Sequence, residues 1–288
     1  MPTSLTSEEF SRKVSEQIRF LPSLPDTALK LRQILADPNC DFADLISPLE
    51  HDAGLCADLI RLANSSFYGR GGRVDTISEA VMTLGMVNLS DFVLVAYTNR
   101  IVRSHFACLQ NLADYFTHSN KVAGAAYCIA KAAGASIKDQ EVCRLGGLLH
   151  NIGRLVIAVA SEQWTAALGN FPPQGLAGEN RFDGCGLDEC EVGMRVCRNW
   201  NFTEALALGI GRHHSPVKGG EVNYLALIIY LAEFLIIETL PLSMVIADFD
   251  PALLDRLQMQ AAVLTKARED YLEGMGKIES IQPAHRGG

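Results

Sequence analysis

No pair among the eight cysteines, at positions 40, 56, 108, 128, 143, 185, 190 and 197, has the C-x-x-C spacing. Zinc ribbons and dithiol redox motifs are therefore unsupported. Several cysteines fall inside apolar helical stretches such as Ala126 to Ala130, and they read as small buried hydrophobes in a reducing compartment. The N-terminus lacks an apolar signal region, because charges recur from Glu8 to Arg19. Long apolar runs are missing too. The most apolar, Val222 to Ile237, is short for a bilayer span and includes Asn223 and Glu233, so it predicts a helix buried in a soluble core. Basic charge is scarce: 25 Lys and Arg face 33 Asp and Glu, for a net charge of −8. That balance argues against direct nucleic-acid binding, which needs a concentrated basic face. A cytoplasmic protein without a membrane span is the expectation.

With 48% hydrophobic and 20% charged residues, the 288-residue chain can close a sizeable core as one large domain or two small ones. It is neither disordered nor collagen-like. Apolar residues recur at helical spacing almost throughout. Thr6 and Glu9 predict a capping box ahead of Phe10, Val14 and Ile18. Ala28, Leu31 and Leu35 form the next stripe, stopped by Asp37-Pro38. Asp41 can cap a segment carrying Leu45, Ile46 and Leu49, whose middle Pro48 should disturb. Leu55, Leu59, Leu62 and Ala63 line a further helix, and Thr76 and Glu79 predict a second capping box with Gly85 as a C-terminal stop.

Asn88 to Arg103 is again apolar, and long helices are predicted over Leu112 to Ala133 and Asp139 to about Val159. Others follow over Asp188 to Trp200, Thr203 to about Arg212, Val222 to Glu238 and Pro251 to Leu272, the last capped by Asp250. Gly169 to Gly186, rich in Gly and Pro, reads as a loop. No run alternates with period two and no internal repeat is visible. The chain is predicted to be all-α: an N-terminal helical lobe over 1–110, a second lobe over 111–272 and a mobile tail over 273–288.

Four of the seven histidines stand out. His118 shares a helical face with Tyr115, Val122 and Ala125; His150 follows Leu148-Leu149; the His213-His214 pair closes a helix before Pro216. Inward imidazoles on separate helices are how a bundle builds a metal site, although each can instead satisfy itself by hydrogen bonding in the core. Glu233 shares its face with Ala226, Ile229, Tyr230 and Ile237, which predicts a carboxylate in an apolar interior that needs a cationic partner. The inward histidines are the candidates. In RLANSSFYG, residues Asn64, Ser65, Phe67 and Tyr68 read either as a partner surface or as a helix stop, with Asn64 and Ser65 satisfying terminal carbonyls.

Taken in order, LPSLPDTALKL at Leu21, RLANSSFYG at Arg61, ISEAVMTLG at Ile77, HSNKVA at His118, GLLHNIGRLVI at Gly147, LDECEVG at Leu187, RHHSP at Arg212 and YLAEFL at Tyr230 resemble an HDOD domain over roughly residues 10 to 240. The resemblance implies a bacterial signalling or regulatory domain, built from an N-terminal helical lobe and a lobe related to HD and HD-GYP metal-dependent phosphohydrolases. Catalytic HD proteins carry a His…His-Asp…Asp pattern, and the HD-GYP branch adds histidines. On that pattern His118 matches the first His and His150 the His of the doublet, whose Asp is Asn151 here. Glu189 stands where a further His is expected, His213 and His214 match the later pair, and Glu233 replaces the final Asp.

These replacements weaken the implied chemistry. Asn151 offers a neutral carbonyl that neutralises no metal charge and accepts no proton from metal-bound water. Glu189 can ligate, but through a hard oxygen, and Glu233 moves its carboxylate by one methylene. The expectation is a vestigial cleft, with no cofactor expected beyond residual divalent metal. The chain would be a non-catalytic regulatory protein binding a signalling protein or a small effector. Two rivals stand beside it: a metal-dependent phosphohydrolase acting on nucleotides or cyclic dinucleotides, and a small-molecule sensor using the former metal cleft. No receiver, GAF or GGDEF-like segment is visible, so input and output would come from separate chains. Glu233 is predicted to pair with His118, His150 or the 213–214 pair and to raise the pKa of its His partner.

Overall fold

A computed structural model describes residues 6–25, 28, 30, 31, 33, 34, 37, 40–50, 52–64, 73–109, 112–160, 187–237, 240–247 and 249–281. The protein is all-α; among the described residues the only strands are β1 (Val217–Lys218) and β2 (Glu221–Val222), an antiparallel hairpin. Helix α1 (Ser7–Phe20) opens with the Thr6–Glu9 capping box, both reciprocal bonds being made. Helix α2 (Phe42–Glu50) is entered through paired bonds between Asp41 and Asp44. It continues across Pro48, where a disturbance is predicted; Leu45 and Leu49, fully buried on either side, supply the packing that holds it. Helices α3 (Ala53–Ala63) and α4 (Ile77–His105) follow. The second capping box forms at Thr76 and Glu79. Gly85, at φ 76°, makes a kink inside α4 rather than a stop.

The chain divides into two compact units: Met1–Ser23 with Ile101–Arg268, and Leu24–Arg100 with Glu269–Gly288. This division differs in two respects from the boundaries of 1–110, 111–272 and 273–288 expected from the sequence. Helix α1 packs with the C-terminal unit, where Phe10, Val14 and Ile18 are buried. Ile18 and Pro22 carbonyls there accept from Asn199 Nδ2 (3.1 Å) and Trp200 Nε1 (2.9 Å). An apolar stripe names its own buried face but not its partner. The supposed tail is helical as far as Ile281, since Gly274 takes no left-handed conformation and so does not terminate the helix. The rest of that tail and the predicted Gly169–Gly186 loop lie outside the described residues.

In the Leu24–Arg100 unit, Asp52 ties the start of α3 to α4. Its Oδ1 caps Leu55 N–H (2.8 Å), and its Oδ2 accepts from Arg100 (2.7 Å) and Tyr97 (2.9 Å). Asn64 ends α3 by donating to the Ile60 and Val74 carbonyls and accepting from Val74 N–H. It is a structural clamp; Ser65, Phe67 and Tyr68 lie outside the described residues.

The C-terminal unit contains α5 (Leu112–Ala132), α6 (Ile137–Leu149), α7 (Ile152–Ala160), α8 (Glu189–Asn199), α9 (Glu204–Gly211), α10 (Tyr224–Leu235), α11 (Leu242–Ile246), α12 (Pro251–Arg256) and the start of α13 (Ala261–Ile281). The predicted single helix from Asp139 to Val159 is broken at His150–Asn151, and that from Pro251 to Leu272 at Gln258, which has φ 55°. Among the described residues Ile137–Ala160 is the stretch long and apolar enough to cross a membrane, and 83% of that window is buried inside the protein. Two close approaches assemble the unit. A Cβ at Gly147 would lie 2.8 Å from Ala123 Cα, so α6 seats directly on α5, and a Cβ at Gly153 would collide with the Glu189 carbonyl, so α7 seats on α8.

Candidate functional site

These approaches bring every histidine, acid and amide predicted for the cleft into one region of the C-terminal unit. His118 lies on α5, His150 and Asn151 in the break between α6 and α7, Glu189 in the first turn of α8, His213 and His214 just beyond α9, and Glu233 on α10. All but His214 are buried.

The first group forms around His150. Its Nδ1–H donates to the Gly147 carbonyl (2.7 Å), leaving Nε2 to accept from Asn151 Nδ2 (2.7 Å). Nε2 also lies 3.2 Å from His118 Nε2 and 3.3 Å from Glu233 Oε1, and the latter two atoms are 3.8 Å apart. Glu233 thus faces His118 and His150 as the sequence predicts. Burial tends to raise its carboxyl pKa, but the two histidines hold it well below the usual range. The predicted rise at the histidine partner does not occur at His118: burial outweighs the Glu233 interaction, and its pKa is lowered.

The second group centres on a residue that the sequence reading missed. Arg154, on α7, donates from Nε (2.6 Å) and NH2 (2.9 Å) to the two carboxylate oxygens of Glu189. Both side chains are buried, giving a two-pronged charged pair in the interior. His214 Nε2 is 3.5 Å from Glu189 Oε1. Cys190 Sγ lies 3.2 Å from His214 Nδ1 and 3.5 Å from His213 Nδ1, which donates to the Ile210 carbonyl at 2.7 Å. The His213 ring stands beside that of His150, with centroids 5.2 Å apart, so the two groups adjoin. Burial drives the His213 pKa well below its ordinary value and that of His214 to about 4. Arg154 had a readable signal, as the one charged residue in the apolar segment IGRLVIAVA.

The HD proteins that the sequence resembles imply a divalent metal, and the first group can be tested for fit. Ligand atoms of His118, His150 and Glu233 lie within 4.8 Å of one another. Their separations resemble the roughly 3.3 Å edges of a tetrahedron built on bonds of about 2.0–2.1 Å. Asn151 Oδ1 is buried without a hydrogen-bond partner among the described residues. The set fits one ion once Asn151 Nδ2 gives up His150 Nε2, to which it donates here. On the other side of the cleft, Arg154 already supplies fixed positive charge to Glu189, which does not fit a second hard cation there.

The HDOD domain family model matches residues 21–216. The chain belongs to the HDOD domain family. An uncharacterized protein of Treponema pallidum (strain Nichols) is 26% identical over 215 residues, covering 72% of this chain and 40% of that protein. The chain thus spans less than half the length of that relative. Among solved structures, a candidate signal transduction protein from Marinobacter aquaeolei VT8 is similar, with TM-score 0.67 and 19% identity over 98% of this chain and 66% of that one. A candidate phosphohydrolase from Shewanella amazonensis SB2B has TM-score 0.65 and 23% identity, covering 94% and 98% of the two chains. An HDOD domain protein of unknown function from Geobacter sulfurreducens has TM-score 0.59 and 21% identity, covering 92% and 97%. At these identities the structural likeness speaks to the fold.

Proposed function

We propose that this HDOD chain is a cytoplasmic, non-catalytic regulatory protein that binds a signalling protein or a small effector. The observation that carries this reading is the buried Arg154–Glu189 pair, inside a cleft whose His-doublet acid is Asn151. A hydrolase of this type needs acids free to hold metal and to take a proton from its water. Here one acid is committed to an arginine, and the doublet position carries an amide. Effector binding is tested by a thermal-shift screen with nucleotides and cyclic dinucleotides, in which an occupied site raises Tm with ligand concentration.

A second reading has its own support in the convergence of His118, His150, Glu233 and the buried Asn151 oxygen: a single-ion site used for sensing. A bound divalent ion would supply Lewis acidity and hold a water. Manganese(II), a hard ion, separates the two readings. The first expects no change in Tm; the second expects a rise that Glu233→Gln abolishes.

A further inference from the structure

We propose that the face of the C-terminal unit formed by α7 and α8 is a docking groove for an amphipathic helix of a partner protein, and that α1 is the removable helix that fills it in this chain. The inference rests on the reading above that the chain acts by binding a signalling protein, and it names the surface used.

Helix α7, IGRLVIAVA, is apolar all round except for Arg154, and a helix of that kind must be covered on every side. Helix α8 closes its Gly153 side. Helix α1 packs on both α7 and α8. The buried residues of α1, among those described, are Phe10, Val14 and Ile18, a single stripe at four-residue spacing. Polar groups that fix it come from α8 and its C-cap: Arg195 donates to the Ser15 hydroxyl (2.7 Å), Asn199 Nδ2 to the Ile18 carbonyl (3.1 Å) and Trp200 Nε1 to the Pro22 carbonyl (2.9 Å). Two of these three bonds meet main-chain oxygens, which carry no sequence information. The groove thus reads a pattern: apolar residues at i, i+4 and i+8, with an oxygen-bearing side chain at i+5. A carboxylate there suits Arg195 better than the Ser15 hydroxyl does.

Three features make α1 separable. After Ser23 the chain enters the Leu24–Arg100 unit and returns to the C-terminal unit only at Ile101, so packing alone joins α1 to its groove. At 14 residues, α1 has a length, about 12–15 residues, at which isolated helices are marginal in water, so its helix depends on the groove. The family match begins at Leu21, directly after α1, whereas α7 and α8 fall inside it. The groove belongs to the matched domain; its occupant does not.

A fluorescently labelled peptide of residues 6–23, titrated into the native full chain and into full-chain Val14→Asp, tests the groove by anisotropy. The carboxylate put at the fully buried Val14 position ejects α1. The peptide is expected to bind Val14→Asp one to one and at least about 10-fold tighter than the native chain, where tethered α1 competes. A peptide carrying Val14→Asp is expected to bind at least about 10-fold more weakly than the unaltered one, and a Ser15→Glu peptide at least as tightly. Hydrogen exchange on the native chain needs no variant: α1 amides are expected to exchange at least about 100-fold faster than those of α8, through local opening. Should circular dichroism show Val14→Asp to be unfolded, Phe10→Ala provides the same comparison. No binding to the folded variant, equal binding to both chains, a weaker Ser15→Glu peptide, or α1 amides as protected as those of α8 would each overturn the proposal. A native dimer by light scattering that becomes monomeric in Val14→Asp would assign the groove to α1 of a second copy, and overturn the partner reading. The peptide reports docking independently of turnover at the cleft, so failure here is distinct from failure of the non-catalytic reading.

Discussion

Replacing Arg154 with Met exchanges a buried guanidinium for an apolar side chain of similar length, leaving the Glu189 carboxylate in an interior where both side chains are 3% exposed or less. The structure gives that carboxylate two charge-assisted bonds from Arg154, while His214, lowered to about pKa 4 by burial, is neutral at pH 7 and a poor substitute. Removing one partner of such a pair costs about 3–5 kcal/mol, because the remaining charge is stranded or must take up a proton. Glu189→Leu, which strands the arginine, is expected to cost a similar amount. The double variant, Arg154→Met with Glu189→Leu, removes both desolvation penalties and is expected to lie within about 1–2 kcal/mol of the native protein. Urea unfolding followed by tryptophan fluorescence measures this directly, since Trp200 is buried in the C-terminal unit. A single-variant loss under 1 kcal/mol, or a double variant as unstable as the sum of the singles, would refute the claim that each of the two buried charges depends on the other.

Acid should weaken the protein ahead of its carboxylates. His118, His213 and His214 all have lowered pKa values when folded, so the unfolded chain binds protons that the folded one refuses, starting near the unfolded value of about 6.5. Stability is fully present above that pH and falls as pH drops towards 4; His214 alone accounts for about 3 kcal/mol over the interval. Urea midpoints flat between pH 7.5 and 4.5 would contradict this. Asn64→Ala removes three hydrogen bonds that join Ile60 to Val74 and is expected to cost about 2–3 kcal/mol in urea unfolding; Asn64→Asp, which sets a carboxylate oxygen against the same two carbonyls, should cost at least as much. Gly153→Ala forces α7 off the Glu189 carbonyl and is expected to lose more than about 3 kcal/mol; a neutral result by the same assay would show that the two helices can separate.

Local signals were legible in the sequence and relational ones were not. The capping boxes at Thr6 and Thr76 depend only on residues three positions apart, and both form. The meeting of His118, His150 and Glu233 followed from helical faces, because a polar residue on an apolar stripe must point inward. The break at His150–Asn151 was hidden because apolar spacing continues across it, from Leu148-Leu149 to Ile152. Yet that break is what turns the His150 ring back to its own helix end at Gly147. Arg154 and Cys190 escaped for a different reason. A lone basic residue or a lone cysteine in an apolar segment acquires meaning only from what stands opposite, and Glu189 and the His213–His214 pair are dozens of residues or a full helix away along the chain. The same limit concealed the association of α1 with α7 and α8.

The central claim, that this HDOD cleft holds charge without performing hydrolysis, is tested most directly by incubating the native full chain and His150→Ala with a cyclic dinucleotide and excess manganese(II). Product is measured by chromatography. The account expects no turnover above the no-protein control for either chain. Hydrolysis by the native chain that His150→Ala abolishes would contradict it.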